Sequence, residues 1–293
     1  RPFLCSGLDS YIPATNCHGR EIPSRTYRFE IVIGISGAKW RRERCKQSGI
    51  RSGLTPSIVS ASKSTTSSPR RGSVSVCVGA SRDEVDEVAR DYWTSGIRHI
   101  VALRGDAPAG KDRYEPHPHG YHYASDLIAG LKRVADFEIT AAAYPEPHPE
   151  SISAKADLDN LKRKIDAGAT RAITQFFFQP ELYLRFMDRA RAAGITVPIV
   201  PGVMPVVDIV STSRFARRSG TSVPDWLVAR FGRAGNGTQA RLSVAVSVAT
   251  EFTHRLMLEG VDELHFYTLN RAAVVARTCE NLGIVPADAT VVD

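Results

Sequence analysis

The sequence predicts an α/β fold in which eight strands and their helices close into a (β/α)8 barrel, also called a TIM barrel. Helical and extended segments alternate along residues 76–293, and this order is typical of parallel βαβ units. Six of the predicted strands lie in that region, and apolar runs at residues 27–35 and 56–61 supply the other two that a barrel needs. The length of 293 residues suits one such domain. An open doubly wound sheet is the alternative, but the sequence has no Gly-x-Gly-x-x-Gly motif to support it.

Local signals give the bounds of the elements. Ser81 and Glu84 form a capping-box pattern that begins a helix, and Gly96 follows its last turn. Pro180 begins another helix, because a residue in the first turn does not need its backbone N–H. The predicted strands are residues 74–78, 97–103, 137–143, 172–177, 195–200 and 263–268. The predicted helices are residues 82–95, 123–135, 154–167, 180–193, 209–218, 238–259 and 271–282.

The positive charge of the chain lies in its first quarter. Residues 1–75 hold 13 Lys and Arg against 4 Asp and Glu, a net charge of +9, while the other 218 residues hold 25 against 27, a net charge of −2. Residues 1–75 are also rich in Ser, Gly and Pro, which predicts a divergent, partly disordered segment with irregular or poorly formed remnants of the first two strands. The domain that follows, residues 76–293, is close to neutral, so we expect no nucleic acid as a partner.

Cysteine and hydropathy patterns favour the cytoplasm. The five cysteines form no Cys-x-x-Cys pair, and an odd, scattered set without a secretory signal favours reduced thiols. No apolar run approaches the length of a membrane span. His117, His119 and His122 lie close enough together to suggest a metal site, but no cysteine is near them, and the other interpretation is a solvated loop. No metal is therefore predicted.

Polar side chains stand near the ends of four predicted strands. Gln175 lies within the apolar run at residues 172–177, and an unpaired buried carboxamide costs about 1–3 kcal/mol, so we expect it to be hydrogen-bonded. Residues 101–106, 141–146 and 265–271 also end a strand with polar or charged groups. In a barrel, the carboxyl ends of the strands form the ligand-binding face. These four stretches therefore predict one binding site.

Taken together, these stretches resemble the methylenetetrahydrofolate reductase family, a group of flavoproteins with a (β/α)8 barrel. The resemblance covers about residues 76–286 and rests on Arg104-Gly-Asp106, Tyr144-Pro-Glu-Pro-His-Pro-Glu150, the helix at 154–167 and the motifs around Gln175 and Arg271. It implies FAD as the cofactor. The implied cofactor contacts are Arg104, Gly105, Asp106, Tyr123, Ala124, Tyr144, His148, Asp157, Asn160, Arg163 and Lys164.

The resemblance also implies the catalytic and substrate-binding residues. Glu30, in Phe29-Glu30, would be the general acid that protonates the folate, and Asp106 would act electrostatically beside the flavin. Gln175 would hydrogen-bond the pterin, Phe215 would stack on nicotinamide or on the aminobenzoyl ring, and Arg271 would bind the folate.

The implied activity is the reduction of 5,10-methylenetetrahydrofolate to 5-methyltetrahydrofolate by NADH or NADPH in ping-pong order, within one-carbon and methionine metabolism. We expect a homo-oligomer. Residues 31–75 depart from the family pattern, which leaves two alternatives: a catalytically impaired flavin- or folate-binding remnant, and a nucleic-acid-binding protein that uses its basic first quarter.

Overall fold

The computed structural model describes residues 79–105, 114–235, 237–269 and 271–284 with their side chains. It also describes the backbone of three short strands, residues 28–32, 57–59 and 71–76. The predictions for the side chains of Glu30 and Asp106 lie outside this described part of the chain.

Strands and helices alternate along most of the chain, as predicted. The strands are β1 (Arg28–Val32), β2 (Ser57–Val59), β3 (Arg71–Val76), β4 (His99–Leu103), β5 (Glu138–Ala143), β6 (Arg171–Thr174), β7 (Ile199–Val200), β8 (Gly202–Val203) and β9 (Glu263–Tyr267). The helices are α1 (Arg82–Thr94), α2 (Ala124–Val134), α3 (Ala154–Asp166), α4 (Pro180–Ala192), α5 (Ile209–Ser219), α6 (Asp225–Arg233), α7 (Thr238–Leu258) and α8 (Ala272–Asn281).

The strands form one sheet in the order β7-β6-β5-β4-β3-β2-β1-β9-β8. Six of its strand pairs are parallel, which confirms the α/β class. The two outermost strands, β7 and β8, are separated in the chain only by Pro201, which has no N–H to give to a ladder. Closure of the sheet into a barrel stays a prediction.

One strand, β2, runs antiparallel to its neighbours, unlike the strands of a regular barrel. This strand pairs antiparallel with β1, where Ile31 faces Val59, and antiparallel with β3, where Ser57 faces Ser73. It is three residues long, so few ladder hydrogen bonds hold it. The irregularity predicted for the first two strands is therefore seen in the direction of β2.

Several element bounds differ from the predictions. The predicted strand 172–177 ends at Thr174, because a continuous apolar run does not distinguish a strand from a buried loop. Helix α6 was not predicted. The three predicted end signals are confirmed: Ser81 and Glu84 form a reciprocal capping box, Gly96 follows the C-cap of α1, and Pro180 stands in the first turn of α4.

Buried side chains pack between the sheet and the helices. Ile100 of β4 and Ile139 of β5 pack with Leu127 and Leu131 of α2, and all four are fully buried. A second cluster joins Phe176 and Phe178 to α5, α6 and α7. This packing fixes the positions of β4, β5 and the segment after β6, whose ends carry the predicted site. Within the described residues, no helix has the length and apolar character to cross a membrane.

Gly202 tests how tightly the carboxyl end of the sheet is packed. A Cβ at this position would lie 2.5 Å from Cε2 of Tyr267 and closer still to the carbonyl oxygen of Thr174. Gly202→Ala is therefore expected to lower the free energy of unfolding by about 2–3 kcal/mol, measured by denaturant titration. Gly232→Ala is the matched control, because nothing lies within 4 Å of its Cβ position and alanine favours a helix. Equal stability of the two variants would contradict the prediction.

Candidate functional site

Arg104 follows β4 and is held by two neighbours. Its Nη1 atom lies 2.7 Å from Oε2 of Glu150, and its guanidinium lies 4.3 Å from the centroid of the Tyr114 ring. The side chain is 23% exposed, so the ion pair is partly shielded from water. Gly105 has a φ of +88°, a left-handed conformation that suits glycine at this turn.

The loop after β5 brings aromatic groups next to a lysine. The rings of Tyr144 and His148 meet edge to face at 4.9 Å between centroids. The backbone N–H of His148 donates a hydrogen bond to Oδ2 of Asp157 on α3 at 2.7 Å. Nζ of Lys164 donates to the carbonyl of Ala142 at 2.9 Å and lies 5.6 Å from the centroid of the Tyr144 ring. We call Arg104, Tyr144, His148, Glu150, Asp157 and Lys164 the β4–β5 cluster.

Charged residues on a helix usually lie on its solvated face, but Lys164 does not. It is buried, whereas Arg163 is exposed and donates from Nη2 to Oδ1 of Asn160 at 3.4 Å. Desolvation lowers the pKa of the Lys164 ammonium from 10.5 to about 8. The carboxylate of Asp157 opposes this shift, and the positive charges of Arg104 and Arg163 add to it. Within the described residues the buried ammonium donates to a single carbonyl, that of Ala142, and such a cation is suited to receive an anion.

The lowered pKa of Lys164 predicts a pH effect on stability. In the unfolded chain the lysine keeps its ordinary pKa of 10.5, so between about pH 8 and pH 10.5 the unfolded state binds more protons and stability rises with pH. We expect the free energy of unfolding of the cofactor-free protein to rise across this window by about 1–3 kcal/mol relative to Lys164→Met. Denaturant titrations of both proteins at pH 7.5 and pH 10 measure the difference. An unchanged difference would mean that the ammonium is not buried.

The second part of the site surrounds Gln175. This residue directly follows β6 and is half-buried rather than fully buried. Its Oε1 accepts a hydrogen bond from the N–H of Phe176 at 3.1 Å, and its own N–H donates to the carbonyl of Ala143 at 2.8 Å. The expected hydrogen-bond partner of the carboxamide is therefore present, and it is the adjacent backbone.

Phe215 of α5 lies over the segment that carries Gln175. Its ring stacks on Phe176 with 5.3 Å between centroids and an interplanar angle of 16°, and 41% of Phe215 remains exposed. Tyr267 of β9 donates from its hydroxyl to the carbonyl of Thr174 at 2.8 Å. We call Thr174, Gln175, Phe176, Phe215 and Tyr267 the β6–β9 cluster.

The two clusters adjoin each other. Ala143, which accepts the hydrogen bond from Gln175, directly precedes Tyr144 in the chain. Glu146, in the same loop as Tyr144, accepts through Oε1 from the N–H of Ser222 at 3.0 Å, which ties this loop to the segment between α5 and α6. Its Oε2 is buried and has no hydrogen-bond partner among the described residues.

The remaining predicted site residues lie at element ends. Tyr123 is 61% exposed at the start of α2, where its N–H donates to Asp126, and Ala124 is the buried first residue of that helix. Arg271 is exposed at the start of α8. The backbone of Glu30 lies in β1, directly beside His265 of β9.

Sequence reasoning assigned no role to Tyr267, Glu150 or Glu146. Tyr267 lies at the end of a predicted strand, within the stretch 265–271 that resembles the family. An aromatic residue at such a position is equally common in a core. Only the fold reveals which carbonyl its hydroxyl reaches. His117 and His119 have ring centroids 6.1 Å apart, and no group of three metal-binding side chains is found in the described part of the chain.

The chain is similar to known proteins over most of its length. The family model of methylenetetrahydrofolate reductase matches residues 46–283, a range that begins upstream of residue 76, where the motif resemblance starts. The 5,10-methylenetetrahydrofolate reductases of Salmonella typhimurium and Escherichia coli are each 50% identical over 210 residues, which cover 72% of this chain and 69% of theirs. Methylenetetrahydrofolate reductase (NADH) 1 of Arabidopsis thaliana is 33% identical over 71% of this chain and 37% of its own length.

Solved structures give a weaker likeness. An uncharacterized protein from Clostridium thermocellum, described as binding two copies of 5-methyl-5,6,7,8-tetrahydrofolic acid, has a TM-score of 0.40 and 14% identity over 72% of this chain and 93% of its own. The match to the family model and the 50% identity to the bacterial enzymes establish the family without this structural likeness. This chain belongs to the methylenetetrahydrofolate reductase family.

Proposed function

We propose that this protein reduces 5,10-methylenetetrahydrofolate to 5-methyltetrahydrofolate, with FAD as its cofactor and NADH or NADPH as the reductant. The observation that carries the proposal is the hydrogen bond from Gln175 to Ala143. This backbone bond joins Gln175, the proposed pterin reader, to the residue that directly precedes Tyr144, and it supports a site shared with the proposed flavin contacts Tyr144 and His148. Cofactor and folate would therefore meet at the carboxyl ends of β5 and β6.

The β4–β5 cluster fits FAD by its chemistry. The guanidinium of Arg104 and the ammonium of Lys164 suit phosphate oxygens, and the carboxylate of Asp157 is already used by the His148 N–H. Tyr144 and His148 supply aromatic surface for a planar ring system. Further contacts are proposed for Gly105, Asp106, Tyr123, Ala124, Asn160 and Arg163. Bound FAD would supply reversible hydride transfer between reduced nicotinamide and the methylene group of the substrate.

The protein's own residues would bind and protonate the folate. Glu30 would donate a proton to the substrate nitrogen that leaves when the five-membered ring opens, and Asp106 would stabilise the positive charge that results. Gln175 would hold the pterin through its amide, and Arg271 would bind the glutamate carboxylates. The exposed face of Phe215 would stack on nicotinamide or on the aminobenzoyl ring, so that the two substrates use one site in turn.

The cellular setting is part of the proposal. A role in one-carbon metabolism and methionine biosynthesis, a cytoplasmic location and a homo-oligomeric state are proposed together with the reaction. Neither a nucleic acid nor a metal is proposed as a partner. Size-exclusion chromatography with light scattering would measure the oligomeric state.

The test is the absorbance of the purified protein. We expect a flavin spectrum that NADH or NADPH bleaches without oxygen, and that 5,10-methylenetetrahydrofolate then restores. A colourless protein that binds no added FAD would overturn the proposal.

A second candidate is a flavin- or folate-binding remnant without turnover, and the reversed direction of β2 favours it. A reduced flavin that the folate does not reoxidise would support this candidate. Full reoxidation at a catalytic rate would exclude it.

A further inference from the structure

Tyr267 reaches from β9 to the end of β6. Its hydroxyl donates to the carbonyl of Thr174 at 2.8 Å. The ring passes over Gly202, where a Cβ would lie 2.5 Å from Cε2, and it meets His265 edge to face at 4.8 Å between centroids. This approach therefore depends on the missing side chain at Gly202.

The carbonyl that Tyr267 binds belongs to the peptide group that joins Thr174 to Gln175. The other end of this peptide group is the N–H of Gln175, which donates to the carbonyl of Ala143 at 2.8 Å. Oγ1 of Thr174 accepts a third hydrogen bond, from the N–H of Gly202 at 2.9 Å. Because a peptide group is planar, bonds at both of its ends hold the plane and with it the Cα of Gln175, from which the side chain extends.

The carboxamide of Gln175 is also oriented. Its Oε1 accepts from the N–H of Phe176 at 3.1 Å, so its Nε2 hydrogens, which bond to none of the described residues, can face a ligand. We propose that Tyr267 is a positioning residue for folate binding, which acts by holding the Thr174–Gln175 peptide group and thereby aiming the amide of Gln175. This inference rests on the proposed function, in which Gln175 binds the pterin.

Tyr183 provides a matched control. Its hydroxyl also donates to a backbone carbonyl, that of Ile199 at 2.7 Å, and its ring stacks on Phe177 with 5.8 Å between centroids. Tyr183→Phe and Tyr267→Phe each remove one such hydrogen bond, which contributes to stability in both cases. They differ because only Tyr267 binds the peptide group of Gln175.

The experiment compares Tyr267→Phe, Tyr183→Phe, Gln175→Ala and the double variant Tyr267→Phe/Gln175→Ala, each as the FAD-loaded protein. Binding of 5-methyltetrahydrofolate is measured by calorimetry, the two half-reactions by stopped flow, and unfolding by heating. Tyr267→Phe is expected to weaken binding about 5- to 10-fold and to slow reoxidation by the folate, while Tyr183→Phe changes binding less than about twofold. Reduction by NADH or NADPH is measured on the same samples and is expected to be unchanged in Tyr183→Phe.

The double variant separates positioning from general stability. If Tyr267 acts through Gln175, its loss adds less than about a twofold effect when Gln175 is already alanine. Equal binding in Tyr267→Phe and Tyr183→Phe, or a full additional effect in the double variant, would overturn the inference while wild-type turnover still supports the proposed function. A wild-type protein that binds no 5-methyltetrahydrofolate would instead overturn the proposed function and this inference with it.

Discussion

Glu30→Gln is expected to slow the reoxidation of the reduced protein by 5,10-methylenetetrahydrofolate by about 10²–10⁴-fold. Glutamine has nearly the same shape as glutamate but has no acidic proton, so it cannot assist the opening of the folate ring. Reduction by NADH or NADPH needs no such proton and is expected to keep its wild-type rate. Anaerobic stopped-flow absorbance measures both half-reactions separately on the same sample.

The control for this variant is Glu138→Gln. Glu138 is the exposed first residue of β5, at the amino end of the strand and away from the ligand-binding face. Its amide variant is expected to retain both half-reactions at the wild-type rate. If Glu30→Gln also retains the folate half-reaction, then Glu30 is not the general acid, and residues of the first strand do not complete the site.

Lys164→Met is expected to weaken FAD binding by about 10- to 100-fold, because it removes one charge-assisted contact to the diphosphate. Methionine keeps an unbranched side chain in the buried space that the lysine stem occupies. The dissociation constant is measured by titrating the cofactor-free protein with FAD and following flavin fluorescence. A thermal unfolding curve of the same variant shows whether it is folded.

Lys155→Met is the matched control on the same helix. Lys155 is 82% exposed and pairs with Asp159 one turn along α3, so its loss is expected to change FAD affinity less than about twofold. Equal affinities for the two methionine variants would contradict the assignment of Lys164 to the cofactor. A weaker affinity in both variants would instead indicate a general effect of α3 charge.

Signals within a few residues of each other predicted the elements well. The capping box at Ser81 and Glu84 and the proline at position 180 each act within one helical turn, so the sequence contains the whole interaction. Helix α6 was missed although Leu227 and Phe231, its buried residues, stand four positions apart. The helix is only nine residues long, and Arg230, Gly232 and Arg233 weaken its apolar pattern.

The site required contacts across long stretches of chain. Motif resemblance selected Gln175 and Tyr144, but the hydrogen bond between Gln175 and Ala143 depends on the register of β5 and β6. The burial of Lys164 was not predicted, because it follows from how α3 packs on β5 rather than from its own neighbours. Tyr267 reaches Thr174 across 93 positions of sequence, a distance over which no local pattern operates.

The direction of β2 decides which connections of the chain border the binding face. In a regular barrel, each strand leaves the sheet at the ligand-binding end and the next one enters at the other. Here β1 ends and β2 begins on the side where the parallel strands have their carboxyl ends, whereas β2 ends and β3 begins on the opposite side. The chain therefore enters β2, rather than leaving it, on the side of the sheet where Gln175 follows β6.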